Sequence, residues 1–311
     1  MLRFNQSNGF ALPLVLGIST LLVVLIISIG SSVTHKIHIT GELNARLNAE
    51  LKAYSAFNDI LYKLNTSTLT PTDVAVMPDM DYGRTSLPAG RETGITLLNL
   101  FGEPITLEEG VTVTLRDTAG MVDFMTNTRL LEILLNKVVP DVDQIAVILD
   151  SLADWQDKDD FKHINGAELR DYRLAGYSYV PRNSYVQSIE ELRLIKGMSP
   201  PIFDRIRPEL VYGISDSINY LTMSEFLLSA VLRNEKTLEQ VLQLRRNRLL
   251  TRTLFSAISG ISETEESTFY PSGKIVVEIA ARVDPSVERL QFTLLKKESQ
   301  DKPFVILEWN R

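Results

Sequence analysis

Lys274-Ile275-Val276-Val277-Glu278-Ile279-Ala280-Ala281-Arg282-Val283 is the stretch on which the fold turns. Its β-branched, apolar run reads as a strand, and two more strand-like pieces follow at 289–295 and 304–309. Short isolated hairpins are marginal in water, so these three need further partners. The candidates lie far upstream, at 94–100 and at Val111-Thr112-Val113-Thr114-Leu115, whose alternation gives one buried face before a turn at Asp117-Thr118-Ala119-Gly120. Between the two groups, 121–261 carries helical periodicity almost throughout, with segments at 128–138, 141–156, 188–195, 201–210, 223–232 and 237–244. Strands before and after a helical block predict an α+β fold: one antiparallel sheet, from 65–120 plus 265–311, interrupted by an all-helical insert over 121–264.

Upstream of the sheet the chain is unbroken helix-former. From Phe10 to Val33 it is uncharged and long enough to cross a bilayer. Leu43, Leu47, Leu51, Tyr54, Phe57, Ile60, Leu61 and Leu64 then recur at three- and four-residue spacing, which predicts an amphipathic continuation through Gly41 that packs on the chain's own domain. The helix is expected over 10–64, with its membrane span at about 10–33. Residues 65–92, rich in Thr, Pro, Asp and Gly, read as a connector. Arg3 on the short side of the span favours an N-terminus in the cytoplasm, and Lys36 just past it works against that bias.

The chain has 311 residues, 44% hydrophobic and 23% charged, a globular composition with room for two domains beyond the anchor. A net charge of -7 argues against a nucleic-acid binder. With no cysteine, disulfides and thiolate chemistry are excluded. Histidines occur only at 35, 38 and 163, and no nucleophile elbow, phosphate loop or metalloprotease helix is present, so no enzyme is expected.

Three clusters stand out. Asp150-Ser151-Leu152-Ala153-Asp154-Trp155-Gln156-Asp157-Lys158-Asp159-Asp160, followed by Asn165-Gly166-Ala167-Glu168-Leu169-Arg170-Asp171-Tyr172, is either a solvated acidic loop or a set of oxygen ligands for a hard cation such as Ca²⁺. Its spacing is not that of an EF-hand. Asp154, Asp157, Asp159, Asp160, Glu168 and Asp171 are the candidate ligands, and Trp155 is expected in the core at its helix end. Residues 188–210 have the rhythm of a helix-hairpin-helix with Gly197-Met198-Ser199 at its tip. Acidic neighbours Glu190, Glu191, Asp204 and Glu209 favour a packing module over a DNA contact. Arg245-Arg246-Asn247-Arg248 with Arg252 reads as a solvated helix face or a contact to an acidic partner.

The leader adds a processing signal. Gly9 stands before the apolar run instead of after it, so cleavage there leaves the helix on the mature protein. Gly9-Phe10 resembles the junction of the prepilin family, which implies cleavage between them by prepilin peptidase, removal of residues 1–9 and N-methylation of Phe10. Prepilins usually carry Glu at the fifth mature position, here Leu14. A buried carboxylate without a partner is costly, so a subunit with nothing above it in a filament can dispense with one.

Leu152-Ala153-Asp154-Trp155-Gln156-Asp157-Lys158-Asp159-Asp160, then Gly166-Ala167-Glu168 and Tyr172, then Ser188-Ile189-Glu190-Glu191-Leu192-Arg193-Leu194-Ile195-Lys196-Gly197, together resemble the protein K family of type II secretion, the large minor pseudopilins. Where that family has an Asn-x-Asn-Thr-Ala-Pro turn, this chain reads Asp123-Phe124-Met125-Thr126-Asn127-Thr128 and Ile218-Asn219-Tyr220-Leu221-Thr222-Met223, which marks a divergent member. The resemblance implies a pseudopilin-like sheet, an inner-membrane anchor with the bulk of the chain in the periplasm, and a place at the pseudopilus tip. It also implies the minor pseudopilins I and J, prepilin peptidase and the inner-membrane assembly platform as partners, and no nucleic acid. A minor pilin of a type IV pilus or DNA-uptake system, and a membrane-anchored periplasmic hydrolase, are the competing readings.

Overall fold

The computed structural model describes residues 11–76, 96–215, 217–296 and 304–310; Gly9 and Phe10 lie outside them. With no breaker in its interior, α1 (Ala11–Thr66) runs as one helix of 56 residues straight through Gly41, a rise of about 84 Å. Its first part is apolar on every side and exposed from Leu12 to Val33.

Two sheets sit against the far half of α1. The smaller is antiparallel, in the order β1 (Ser67–Leu69), β2 (Asp73–Val76) and β3 (Thr96–Asn99). The larger has the order β10-β9-β8-β5-β4, formed by β4 (Ile105–Glu108), β5 (Val111–Asp117), β8 (Lys274–Val283), β9 (Ser286–Lys296) and β10 (Phe304–Asn310), all neighbours antiparallel. Although residues 118–273 separate them, β5 and β8 are hydrogen-bonded neighbours, with Val111 opposite Ala281 and Asp117 opposite Ile275. The helical block is therefore an insertion between two adjacent strands.

That insertion holds a two-stranded parallel pair, β6 (Val122–Asp123) with β7 (Leu210–Val211), and seven helices: α2 (Thr128–Val138), α3 (Val142–Gln156), α4 (Leu169–Leu174), α5 (Pro200–Ile206), α6 (Glu225–Val231), α7 (Glu235–Arg246) and α8 (Arg252–Ser259). Short polar caps start most of them: the Asn127, Ser224, Asn234 and Thr251 side chains each accept from a backbone N–H of the first turn. The hairpin expected over 188–210 is present, with a 3-10 turn at Ile189–Leu194 as its first arm and α5 as its second. Gly197 at its tip has φ +88 and lies so close to α3 that a Cβ there would meet Ile148 Cγ1 at 3.0 Å. Gln144 Nε2 donates to the Gly197 carbonyl at 2.9 Å. The tip is spent on packing against α3, as its acidic neighbours imply.

Two apolar cores result. One joins α1 to the sheets through Ala53, Ala56, Ile60, Leu64, Val113, Leu115, Val277, Ile279, Leu290 and Phe292; the other fills the insert around Leu131, Leu135, Ile148, Trp155, Phe203, Leu228 and Phe255. Each fully buried large side chain contributes roughly 1.5–3 kcal/mol.

Three expectations need correction. Part of the stretch read as a connector is sheet: β1 and β2 fall within 65–92, and all four residues of β2 are buried, so no alternation betrays it. Leu43, Leu47 and Leu51 do not pack on the domain; they are 61%, 54% and 58% exposed, while Ala45, Ala49, Ala53 and Ala56 form the buried face. Alanines at the same helical spacing let α1 lie closer to β8 and β9 than leucines would, and only from Tyr54 onward do the larger residues turn inward. The basic run is a solvated face only in part: Arg246, Asn247 and Arg252 are exposed, but Arg245 is not. Arg245 is 3% exposed, donates from Nη1 to the Met223 carbonyl at 2.8 Å and lies over the Phe101 ring at 4.6 Å. Burial brings its guanidinium down to about 10. Arg248 pairs with buried Asp73 and donates to the Leu97 carbonyl at 3.2 Å, so the run ties the insert to the small sheet.

A second tie closes the leads of the insert. The buried Asp117 carboxylate at the end of β5 accepts from Ser272 N at 3.0 Å, Ser272 Oγ at 2.6 Å and Thr222 Oγ1 at 2.9 Å. Beside it, Arg116 reaches Glu209 at 2.5 Å, and Ser224 Oγ donates to the same carboxylate oxygen at 2.8 Å.

Candidate functional site

The acidic cluster is built on the end of α3. Asp141 caps that helix, its side chain accepting from Asp143 N at 3.0 Å, and the last turn delivers Asp154 and then Asp157 on one side, with Trp155 on the other. Trp155 is buried, as expected. Its Nε1 donates to Glu191 Oε1 at 2.9 Å, an acceptor shared with Arg182 Nε at 2.7 Å, and its ring meets Tyr172 edge-on at 5.7 Å. Those two bonds, with a third from Gln187 N, hold the Glu191 carboxyl below its ordinary range despite burial.

The following loop folds back over Asp154. His163 N donates to Asp154 Oδ1 at 3.0 Å, and His163 Nδ1 touches the same oxygen. Asn165 donates from backbone and side chain to Asp150 Oδ2 at 2.9 and 3.0 Å. Gly166 is pressed against Asp154: a Cβ there would stand 1.9 Å from Oδ2. Glu168 starts α4, with Asp171 Oδ2 accepting from its backbone N–H at 3.2 Å.

Three carboxylates and one imidazole are thereby gathered. Ligand atoms of Asp154, Asp157 and His163 lie within 4.8 Å of one another. Asp154 Oδ2, Asp157 Oδ1 and both oxygens of Glu168 are buried with no hydrogen-bond partner. Burial, then the charges of Asp154, Asp157 and Asp160, push the Glu168 carboxyl up to about 7. Burial with Asp159 and Asp154 raises Asp157, and the hydrogen bond to Asp154 raises His163. Orphaned buried carboxylate oxygens are rare because each forfeits its solvation. A cradle of such oxygens suits a hard cation, and the donors present fit Ca²⁺.

The six expected ligands do not all converge. Asp154, Asp157 and Glu168 supply the orphaned oxygens, with Asp160 near enough to act on Glu168. Asp159 accepts from Phe161 N at 2.9 Å within its own turn, and Asp171 is engaged by the α4 cap and by Lys162 at 3.3 Å. His163 was passed over by sequence reasoning; its position in the middle of the acidic run was the available signal. Leu14 lies on α1, exposed with the rest of the span.

Fold and site define a class: an α+β protein with a long apolar N-terminal helix, whose sheet is split by a helical insert carrying an acidic cradle. Within that class the similarity is to type II secretion system protein K. Residues 114–212, from the last strand before the insert to β7, match the family model for type II secretion system (T2SS), protein K. The chain is 33% identical over 121 residues to type II secretion system protein K of Pectobacterium carotovorum subsp. carotovorum, covering 37% of each. It is 33% identical over 107 residues to the protein K of Klebsiella pneumoniae, covering 32% of each. The matches thus span about a third of the length of these relatives. In fold, the chain is similar to a chain of the crystal structure of the GspK-GspI-GspJ complex from the enterotoxigenic Escherichia coli type 2 secretion system. The TM-score is 0.50 at 16% identity, over 89% of this chain and 99% of that one.

Proposed function

We propose that this chain is a minor pseudopilin of type II secretion. Prepilin peptidase cleaves it between Gly9 and Phe10, Phe10 is methylated, and α1 holds it in the inner membrane with its N-terminus in the cytoplasm and its bulk in the periplasm. It sits at the tip of the pseudopilus, where with the minor pseudopilins I and J it starts assembly on the inner-membrane platform for export of folded proteins. Its role is structural, without catalysis. The observation that carries this reading is α1 itself: apolar all round over the span, then bearing Leu43, Leu47 and Leu51 on a face that its own domain leaves exposed. Such a stripe buries favourably against neighbouring helices. Leu14 in place of a carboxylate removes the need for a subunit above, and the insert occupies that space.

Asp154, Asp157 and Glu168 hold Ca²⁺ in this reading. When bound, the ion supplies the positive charge that these crowded carboxylates lack. His163 N–H and Gly166 keep Asp154 oriented, and Asn165 fixes the loop to Asp150, so the ligand set spans α3 and the start of α4. Mass spectrometry of the mature protein and a deletion strain test the proposal. A protein starting at N-methyl-Phe10, with secretion lost and twitching and transformation intact, supports it. An unprocessed N-terminus, or loss of twitching or transformation instead of secretion, overturns it.

A further inference from the structure

A trough runs along the insert between α2 and α6, away from both the acidic cradle and the joint to the sheets. Phe226, Ser229 and Ala230 share one face of α6, and with Arg233 just past its end they line it opposite Ile133 and Lys137 of α2. Two hollows of about 380 and 400 Å³ adjoin, with Lys137 as their common wall; Pro201 and Ile202 of α5 close the outer end.

Three cations flank these hollows, Arg205 at one end, Lys137 in the middle and Arg233 at the other; the hollow beside Phe226 and Ile202 is the apolar one. Arg205 Cζ lies over the Phe226 ring, 4.7 Å from its centroid. Nearby arginines are already engaged: Arg193 by Glu190 and Asp204, Arg207 by Glu190, Arg246 by Glu225. Lys137, Arg205 and Arg233 have no ion pair among the described residues, and no Asp or Glu lines either hollow. In a chain with 39 acidic and 32 basic residues, this is a local inversion of sign beside an apolar hollow.

We propose that the trough docks an acidic segment of a partner protein, two or three carboxylates flanking one apolar side chain. The apolar side chain enters between Phe226 and Ala230, where the small Ser229 and Ala230 leave room. The carboxylates meet Lys137 and the planar forks of Arg205 and Arg233 at the rim. From Phe226 to the end of α6 at Val231 the helix rises about 8 Å, with Arg233 just beyond it, a span that a short peptide segment covers. A flat bilayer reaches the rim but not the floor, and the chain's overall negative charge opposes nucleic acid.

The test uses the full chain in its own cells, with a photo-crosslinking amino acid at Asn136 and, as a control on α7, at Glu239. The expected result is a discrete protein adduct from Asn136 alone, whose crosslinked peptide carries at least two Asp or Glu beside an apolar residue. The combined Lys137→Glu, Arg205→Glu and Arg233→Glu variant lowers the yield by about tenfold or more. Ala230→Tyr, which fills the trough without altering charge, lowers it as well, and Lys137→Arg keeps it. No adduct above the Glu239 control, a crosslinked peptide without carboxylates, an adduct with lipid or nucleic acid, or a yield indifferent to both variants overturns the proposal.

Discussion

The sheet unit and the insert are stabilised by different means. Under α1 the core is almost wholly Val, Ile, Leu, Ala and Phe, with cross-strand neighbours on one face, Phe292 stacked on Trp309 at 5.6 Å and Phe57 edge-on to both at 5.0 and 5.1 Å. The insert buries Asp123, Asp154, Glu168, Glu191, Glu209 and Arg245 as well as its apolar side chains. Asp73 and Asp117, the buried carboxylates of the sheet side, face the insert. Nondirectional burial thus suffices for the sheet, whereas the insert and its attachment depend on polar groups finding particular partners. Such groups add little when satisfied and are expensive when orphaned.

The sharpest test of that contrast lies in the sheet. Phe292→Ala is expected to destabilise the sheet unit by about 3–5 kcal/mol, read by thermal unfolding, and chelation should not change the loss. Asp117→Ala removes the acceptor of Ser272 N and the shorter bonds of the Ser272 and Thr222 hydroxyls, at a cost of about 3 kcal/mol. Calorimetry should then show the insert and sheet melting separately; a single unshifted transition would break the comparison. At free Ca²⁺ a hundred times the dissociation constant, ligation contributes about 2.7 kcal/mol. Adding EGTA should therefore lower the insert's melting by about 5–10 °C and leave the sheet's unchanged, a response that Asp154→Asn abolishes. Arg248→Gln, which leaves Asp73 without its cation, should cost about 1 kcal/mol. Leu47→Ser changes the isolated chain by no more than about 0.5 kcal/mol, and under the proposed function it should lower co-purification with the minor pseudopilins.

The same division governs what was legible beforehand. β8 matches its expected bounds because a continuous run of β-branched and apolar residues can do little else, and α2 matches because Asn127 marks its start. β2 was hidden: a four-residue strand buried on both faces and opened by Asp73 has no period to detect. The alanine face of α1 was hidden by counting only large side chains. Arg245 and Arg248 look solvent-bound in one dimension, since nothing local announces Met223, Phe101 or Asp73 as their partners. The acidic cradle was legible as a cluster, but which carboxylates keep free oxygens depends on the fold of the loop around His163 and Gly166.

The pairing of β5 with β8 also defines a path for force. Both leads of the insert leave neighbouring strands about 5 Å apart, and Asp117 with Ser272 bolts them together. A thrust delivered along α1 passes into β8 and β9, against which the helix packs, and never has to travel through the insert. The helical block stands to one side of that path, so it can differ in shape and size without disturbing the packing of α1 on β8 and β9.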